Sequence, residues 1–299
     1  MAGREVRVDS RVKSMPRLAA AGAIAILVSG AAACSSAGNL VPKAASSAQQ
    51  AQTPQQAIQL AANTSRAVNS FAANMSVRID TLGTAINLAG TISEQLHPSL
   101  LAEANFSTFG VTGQSFPGGM DEIVTPSSVY IKLGMLTQQL RTSKPWIAVS
   151  FSALSKATGV NLTPLFSQLQ TSSPLNQSQL FAGATNVRRV GTGVVNGVPV
   201  TEYTGSVSMS QALAKLPASM RGTLGADIRK AGIGSAKFTE WVDAQHQVRK
   251  VVVTETGRSL TETITTTVTS INQPVSIQVP SASQTTTLPA SFLGNLASA

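Results

Sequence analysis

The chain has 299 residues, 42% of them hydrophobic and 4% aromatic, with 22 basic against 13 acidic side chains and a formal net charge of +9. It holds two histidines and one cysteine, which excludes an internal disulfide and leaves a zinc site short of ligands. The length fits one larger domain or two small ones, and the scarcity of aromatic residues predicts a core of Val, Ile, Leu and Ala.

Met1–Arg17 carries Arg4, Arg7, Arg11, Lys13 and Arg17 against Glu5 and Asp9, and Leu18–Val28 is uncharged and apolar. This is the layout of an export signal. The apolar run is about eleven residues, half of the roughly twenty that a membrane-spanning helix needs. No Arg-Arg pair precedes it, which favours the general secretion route over the twin-arginine one. Small residues then lead to Cys34, and Ala31-Ala32-Ala33-Cys34 resembles the lipobox of bacterial lipoproteins, whose cysteine is diacylated and becomes the new N-terminus. Ala31 stands where Leu is usual, and the triplet also fits an A-x-A cleavage. That cleavage would leave a lone thiol exposed in an oxidising compartment, a liability that favours the lipidated reading. Beyond residue 33 the chain keeps 17 basic and 11 acidic residues, a surface suited to an anionic lipid leaflet. The basic pairs Arg188-Arg189, Arg229-Lys230 and Arg249-Lys250 are scattered, which together with export argues against a nucleic-acid partner.

Residues 34–53, rich in Ser, Ala and Gln, read as a flexible tether reaching roughly 25 Å. Thr53-Pro54 gives an N-cap followed by proline, and Ala57, Leu60, Thr64, Val68 and Phe71 recur at helical spacing. Strands are predicted at Ser76–Thr81, Ala85–Glu94, Leu100–Phe109, Asp121–Val124, Val129–Leu133 and Trp146–Ser150, with short turns that imply antiparallel pairing and leave no room for parallel crossovers. Short helices follow at Ser152–Thr158, Thr163–Gln170, Gln177–Ala184, Ser210–Leu216 and Pro217–Ala231. Between them Val187–Val195 and Val198–Val207 flank Asn196-Gly197, the preferred type I′ hairpin turn. Strands return at Ala236–Val242, Val248–Glu255 and Leu260–Ile271, and residues 281–299 read as a loose tail. With no repeat and no second linker, one domain over residues 54–280 is expected. It should be an α+β fold in which about ten or eleven antiparallel strands form one large curved sheet, a half-open barrel with helices packed on its concave face.

Catalytic signatures are not found. His97 precedes Pro98 in a turn and His246 lies in the turn Asp243–Gln247, so both read as solvated loop residues. There is no G-x-S-x-G elbow, and no Ser beyond the signal stands three before a Lys. Asp121-Glu122 follows a Gly-Gly turn; neighbours on a strand face opposite ways, and solvated loop charge is the expected role. Gly191-Thr192-Gly193 belongs to the hairpin, not to a dinucleotide loop, and Trp146 and Trp241 read as core or rim packing. No enzyme, cofactor or metal is expected.

The order of AAAC at Ala31–Cys34, VYIKL at Val129–Leu133, KPWIAVS at Lys144–Ser150, VGTGVVNGVPVTEYTGSV at Val190–Val207 and WVDAQHQVRKV at Trp241–Val251 resembles the LppX/LprG-type lipoproteins of mycobacteria, within the LolA-like lipoprotein carriers. The resemblance covers roughly residues 57–280 and implies an apolar cavity that holds lipid, glycolipid or lipidated molecules in transit through the cell envelope. It also implies anchoring at the extracytoplasmic face of the cell membrane by a diacylglyceryl group on Cys34, with other envelope transport components as partners. A sensor or protein-interaction lipoprotein of the same fold is the alternative. Helical spacing selects Leu165, Phe166 and Leu169, and Leu213, Leu216, Met220 and Leu224, as one cavity wall; Phe106, Ile131 and Leu133 are the candidates for the opposing one.

Overall fold

The structure is a computed structural model describing residues 52–115, 118–158, 181–214, 228 and 231–288. Its first element, α1 (Pro54–Arg66), starts where the capping signal places it. Thr53 Oγ1 accepts from the Gln56 N–H at 3.2 Å, and Gln56 Oε1 accepts from the Thr53 N–H at 2.9 Å, closing a capping box. The buried stripe is Ala57, Ile58, Ala61, Ala62 and Ser65, whereas Leu60 is 40% exposed. Small residues thus let the helix approach the sheet closely. Val68 and Phe71, expected on this helix, lie beyond its end, Phe71 already in the first strand.

Thirteen strands form one open sheet: β1 (Ser70–Thr81), β2 (Thr84–Gln95), β3 (Leu101–Val111), β4 (Gln114–Ser115), β5 (Met120–Val124), β6 (Ser128–Lys132), β7 (Trp146–Ser150), β8 (Thr185–Val195), β9 (Val198–Ser208), β10 (Ser235–Asp243), β11 (Val248–Thr256), β12 (Leu260–Ile271) and β13 (Thr285–Thr287). Among the described residues three short α-helices accompany them: α2 (Gly134–Gln139), α3 (Phe151–Thr158) and α4 (Met209–Ala214). The sheet order is β13-β7-β6-β5-β3-β2-β1-β12-β11-β10-β9-β8, with β4 on β3. It consists of two antiparallel meanders, β1 to β7 and β8 to β12, joined where β1 pairs β12.

Two expectations are corrected at the edge. The sheet is mixed, because β13 runs parallel to β7, and the crossover that parallel pairing requires is the whole second meander. The stretch from Ser281 to Leu288 is built onto that edge: Lys144 Nζ donates to the Ala282 and Thr285 carbonyls at 3.0 and 2.9 Å, and Leu288 packs on Ile147. The first strand also begins six residues earlier than expected, since its weak formers Ala72, Ala73 and Asn74 are held between β2 and β12.

Period two sorts the strands into faces. In β1, Phe71, Ala73, Met75, Val77 and Ile79 are buried, while Asn74, Ser76 and Arg78 are exposed. The register carries this buried face across the sheet in rows. One reads Ala73, Ile92, Ala104, Glu122, Ile131 and Ile147. Another reads Tyr203, Glu240, Val251, Thr266, Met75, Gly90, Phe106 and Met120. Most of the core is aliphatic, yet its largest fully buried side chains are Phe71, Phe106, Phe181 and Phe238, correcting the expectation of a core without aromatics. Phe181 and Phe238 stack with centroids 4.1 Å apart.

The hairpin between β8 and β9 turns at Asn196 (φ 48°) and Gly197 (φ 79°), and Asn196 Nδ2 donates to the Val268 carbonyl at 3.0 Å. A Cβ at Gly197 would meet nothing within 4 Å, so a substitution there is opposed by backbone conformation alone. Gly197→Val is expected to cost about 1–3 kcal/mol, read as a lowered melting temperature. An unchanged midpoint would mean that the turn does not hold the register.

Candidate functional site

The structure brings three of the sequence-selected wall residues together: Phe106 is 1% exposed and Leu133 is 8% exposed, and both belong to the main core cluster, with half-buried Ile131 packed against it. Phe106 sits where two backbones come close. A Cβ at Gly90 would lie 2.6 Å from its Cα, and one at Gly119 2.1 Å from its carbonyl oxygen. Those glycines let β2 and the start of β5 press on β3 from either side. On α4, Met209 and Ala212 are buried in place of the expected Leu213, which is half-buried. Leu165, Phe166, Leu169, Leu216, Met220 and Leu224 lie outside the described residues, as do Cys34 and most of the tether.

Asp121-Glu122 needs correction. The pair lies within β5, not in a solvated loop, and its two carboxylates face opposite ways. Asp121 is on the outer face, 2.9 Å from Lys132 Nζ. Glu122 is 4% exposed in the row between Ala104 and Ile131. Burial among apolar side chains disfavours its charged form and pushes its pKa up to about 8.

Glu122 is one of a set. Among the described residues the buried charged groups are Glu94, Glu122, Glu240 and Asp243, all carboxylic, with no buried lysine or arginine. Asp243 is accounted for by its own turn: it accepts from the Gln245 and Gln247 N–H groups at 2.9 Å and pairs with Arg249 at 2.7 Å, holding the WVDAQHQVRKV segment in shape. By register the other three belong to the buried face. At one end of that face Glu262 lies opposite Glu255 across β11 and β12. Desolvation raises the Glu262 pKa to about 7, helped by the charge of Glu255, whose own pKa desolvation also raises. Sequence reasoning missed these glutamates although period two was there to be used: Glu122 lies two after Met120 and two before Val124, Glu94 two after Ile92, and Glu240 between Phe238 and Val242.

The outer face is different chemistry. Lys250 lies 4.6 Å above the Trp241 ring and Lys132 5.9 Å above Trp146, so the tryptophans pack under lysines. An open depression on this face is lined by residues including Ser76, Arg78, Asn87, Thr108, Thr263 and Thr265. His97 is exposed and His246 half-buried at φ 59° in its turn. Among the described residues no three metal-ligating side chains converge, and no helix is long and apolar enough to cross a membrane.

No protein-family model matches the chain. An uncharacterized 31.2 kDa protein from the rplA-rplJ intergenic region of Streptomyces griseus is 27% identical over 161 residues, and the chain spans about half that relative's length, with 52% of each covered. Similar solved structures include the Mycobacterium tuberculosis lipoprotein LppX, 20% identical, covering 75% of this chain and 98% of its own with a TM-score of 0.41. They also include LprF from Mycobacterium bovis, 14% identical, covering 77% and 97% with a TM-score of 0.46.

Proposed function

We propose that this chain is an envelope lipoprotein, anchored through acylated Cys34, that holds a lipid or lipidated molecule against the buried face of its sheet and carries it through the cell envelope. The observation that carries the reading is the breadth of that face: aliphatic and phenylalanine side chains continue from β7 through β10 on a sheet that stays open at β8. An acyl chain is matched to such a wall by the hydrophobic effect alone, at ~25 cal/mol per Å² of apolar area removed from water.

The test is to purify the full-length protein from membranes under mild conditions and analyse its organic extract by mass spectrometry. A non-covalent lipid near one per protein is expected, and a lipid-free extract would overturn the carrier reading. Anchoring has a separate test. Two acyl chains of about fifteen methylenes each, at ~0.8 kcal/mol per buried methylene, give a nominal gain above 20 kcal/mol, so release is negligible. Cys34→Ala is expected to move the protein to the soluble or secreted fraction. If it still sediments with membranes after a high-salt wash, the anchor lies elsewhere.

A further inference from the structure

We infer that Glu122 is the polar contact of the lipid-facing wall, donating a hydrogen bond as a carboxylic acid to an uncharged oxygen of the bound amphiphile, an ester carbonyl or a hydroxyl, and disfavouring phosphate and carboxylate head groups. The inference rests on the lipid-binding reading above and adds to it which polar chemistry the site accepts.

Three observations carry it. Glu122 is 96% buried, and the groups beside it in its row are the methyl of Ala104 and the side chain of Ile131, with Met120 and Val124 before and after it on the same face of β5. No described residue gives it a hydrogen bond or ion pair, and burial is the sole cause of its raised proton affinity. Lys132, the base on the neighbouring strand, is turned to the outer face and held by Asp121. A carboxyl kept among hydrocarbon with no partner among the described residues is a poor structural element, and Leu or Met would fill the position at less cost. It suits a group that receives its partner from a ligand.

The second half of the inference follows from charge. Among the described residues the buried charged groups of this face, Glu94, Glu122 and Glu240, are all carboxylic. Of the elements around Glu122, β2 presents Glu94 to the same face; β3, β6 and β7 present Ala104, Phe106, Val129, Ile131, Ile147 and Val149; and α2 has no charged residue. Among the described residues an anionic head group here would meet no buried base to neutralise it. It would also face a carboxyl that loses its proton as the pH passes about 8. An uncharged oxygen accepts a hydrogen bond from the neutral acid at no such cost.

The test uses delipidated full-length protein and three fluorescent probes: a labelled diacylglycerol, a labelled phosphatidic acid with the same chains, and the pure hydrocarbon diphenylhexatriene. At pH 6 the parent is expected to prefer the diacylglycerol over the phosphatidic acid by roughly tenfold, about the size of one buried hydrogen bond. Glu122→Leu should lose that preference and keep its affinity for diphenylhexatriene. Glu122→Gln, which retains a donor, should keep the diacylglycerol affinity and lose the weakening that the parent shows between pH 6 and pH 9. Unchanged diacylglycerol binding by Glu122→Leu, or equal binding of the two labelled lipids by the parent, would overturn the role of Glu122 and leave lipid binding standing. Should the parent bind none of the probes, the lipid reading itself fails. If Glu122→Leu does not fold, Glu122→Gln decides: a pH dependence identical to the parent's overturns the inference.

Discussion

Raising the pH from about 5 to about 8 is expected to weaken the folded domain by several kcal/mol, and Glu122→Gln to remove most of that loss. The Glu122 carboxyl has an ordinary pKa of 4.5 and a folded pKa of about 8. Below the ordinary value both folded and unfolded chains hold the proton, and stability is full. Between the two values the unfolded chain gives up its proton while the folded one keeps it, so stability falls by ~1.4 kcal/mol per pH unit. Above about 8 both states are ionised and the loss is complete. Its nominal size is on the order of 4 kcal/mol, a large share of a typical domain's stability. Glu262, raised to about 7, and Glu255 act in the same direction, but they are half-buried and water screens part of their effect. Urea unfolding midpoints at pH 5, 6.5 and 8, for the parent and for Glu122→Gln, measure the difference. A parent whose midpoint is flat over this range would show that Glu122 is ionised in the folded state.

Gly90→Val is expected to be the most damaging single exchange in the sheet. A Cβ at Gly90 would stand 1.9 Å from the Asn105 carbonyl oxygen and 2.6 Å from the Phe106 Cα. Both are backbone atoms, so no rotamer can yield, and β2 must part from β3 at the bulge between Ala89 and Gly90. Phe106, 1% exposed, would move with it. Overpacking against backbone costs about 3 kcal/mol or more, which lowers the melting temperature of a domain this size by roughly 10 °C. Gly193→Val is the control: it lies in β8 with nothing within 4 Å of a Cβ and no positive φ, and should melt within a degree or two of the parent. Equal melting of the two variants would refute the close approach.

The hairpins were legible because they are local. Asn196-Gly197 sets its own turn, and the boundaries of Trp146–Ser150 and Leu260–Ile271 follow directly from alternation and turn residues. What was not legible depends on partners far along the chain. The weak N-terminal half of β1 is a strand because β2 and β12 flank it, and three threonines become β13 because Lys144 and Ile147 are there to receive them. The candidate site was legible in part. Phe106, Ile131 and Leu133 can be chosen as apolar residues of expected strands; Phe106 and Leu133 belong to the main core, Ile131 packs against it, and Leu133 stands just past the end of β6. Glu122 reads as solvated loop charge when polarity alone is the guide to exposure. Its position in the alternation says the opposite, and where residue type and period disagree, the disagreement marks a candidate site.

The seam between β1 and β12 also sets an order of events in folding. Within each meander nearly every paired residue has its partner one turn away, so β1 to β7 and β8 to β12 can each form at a low loop-closure cost. The pairs from Phe71 with Ile271 to Thr81 with Leu260 join residues roughly 180–200 positions apart, and that closure entropy is repaid only when both halves already present their edges. Until then β1 and β12 are two long bare strand edges carrying Phe71, Val77, Ile264 and Val268, the groups most able to pair with another molecule. Zipping this seam is the step that competes with aggregation.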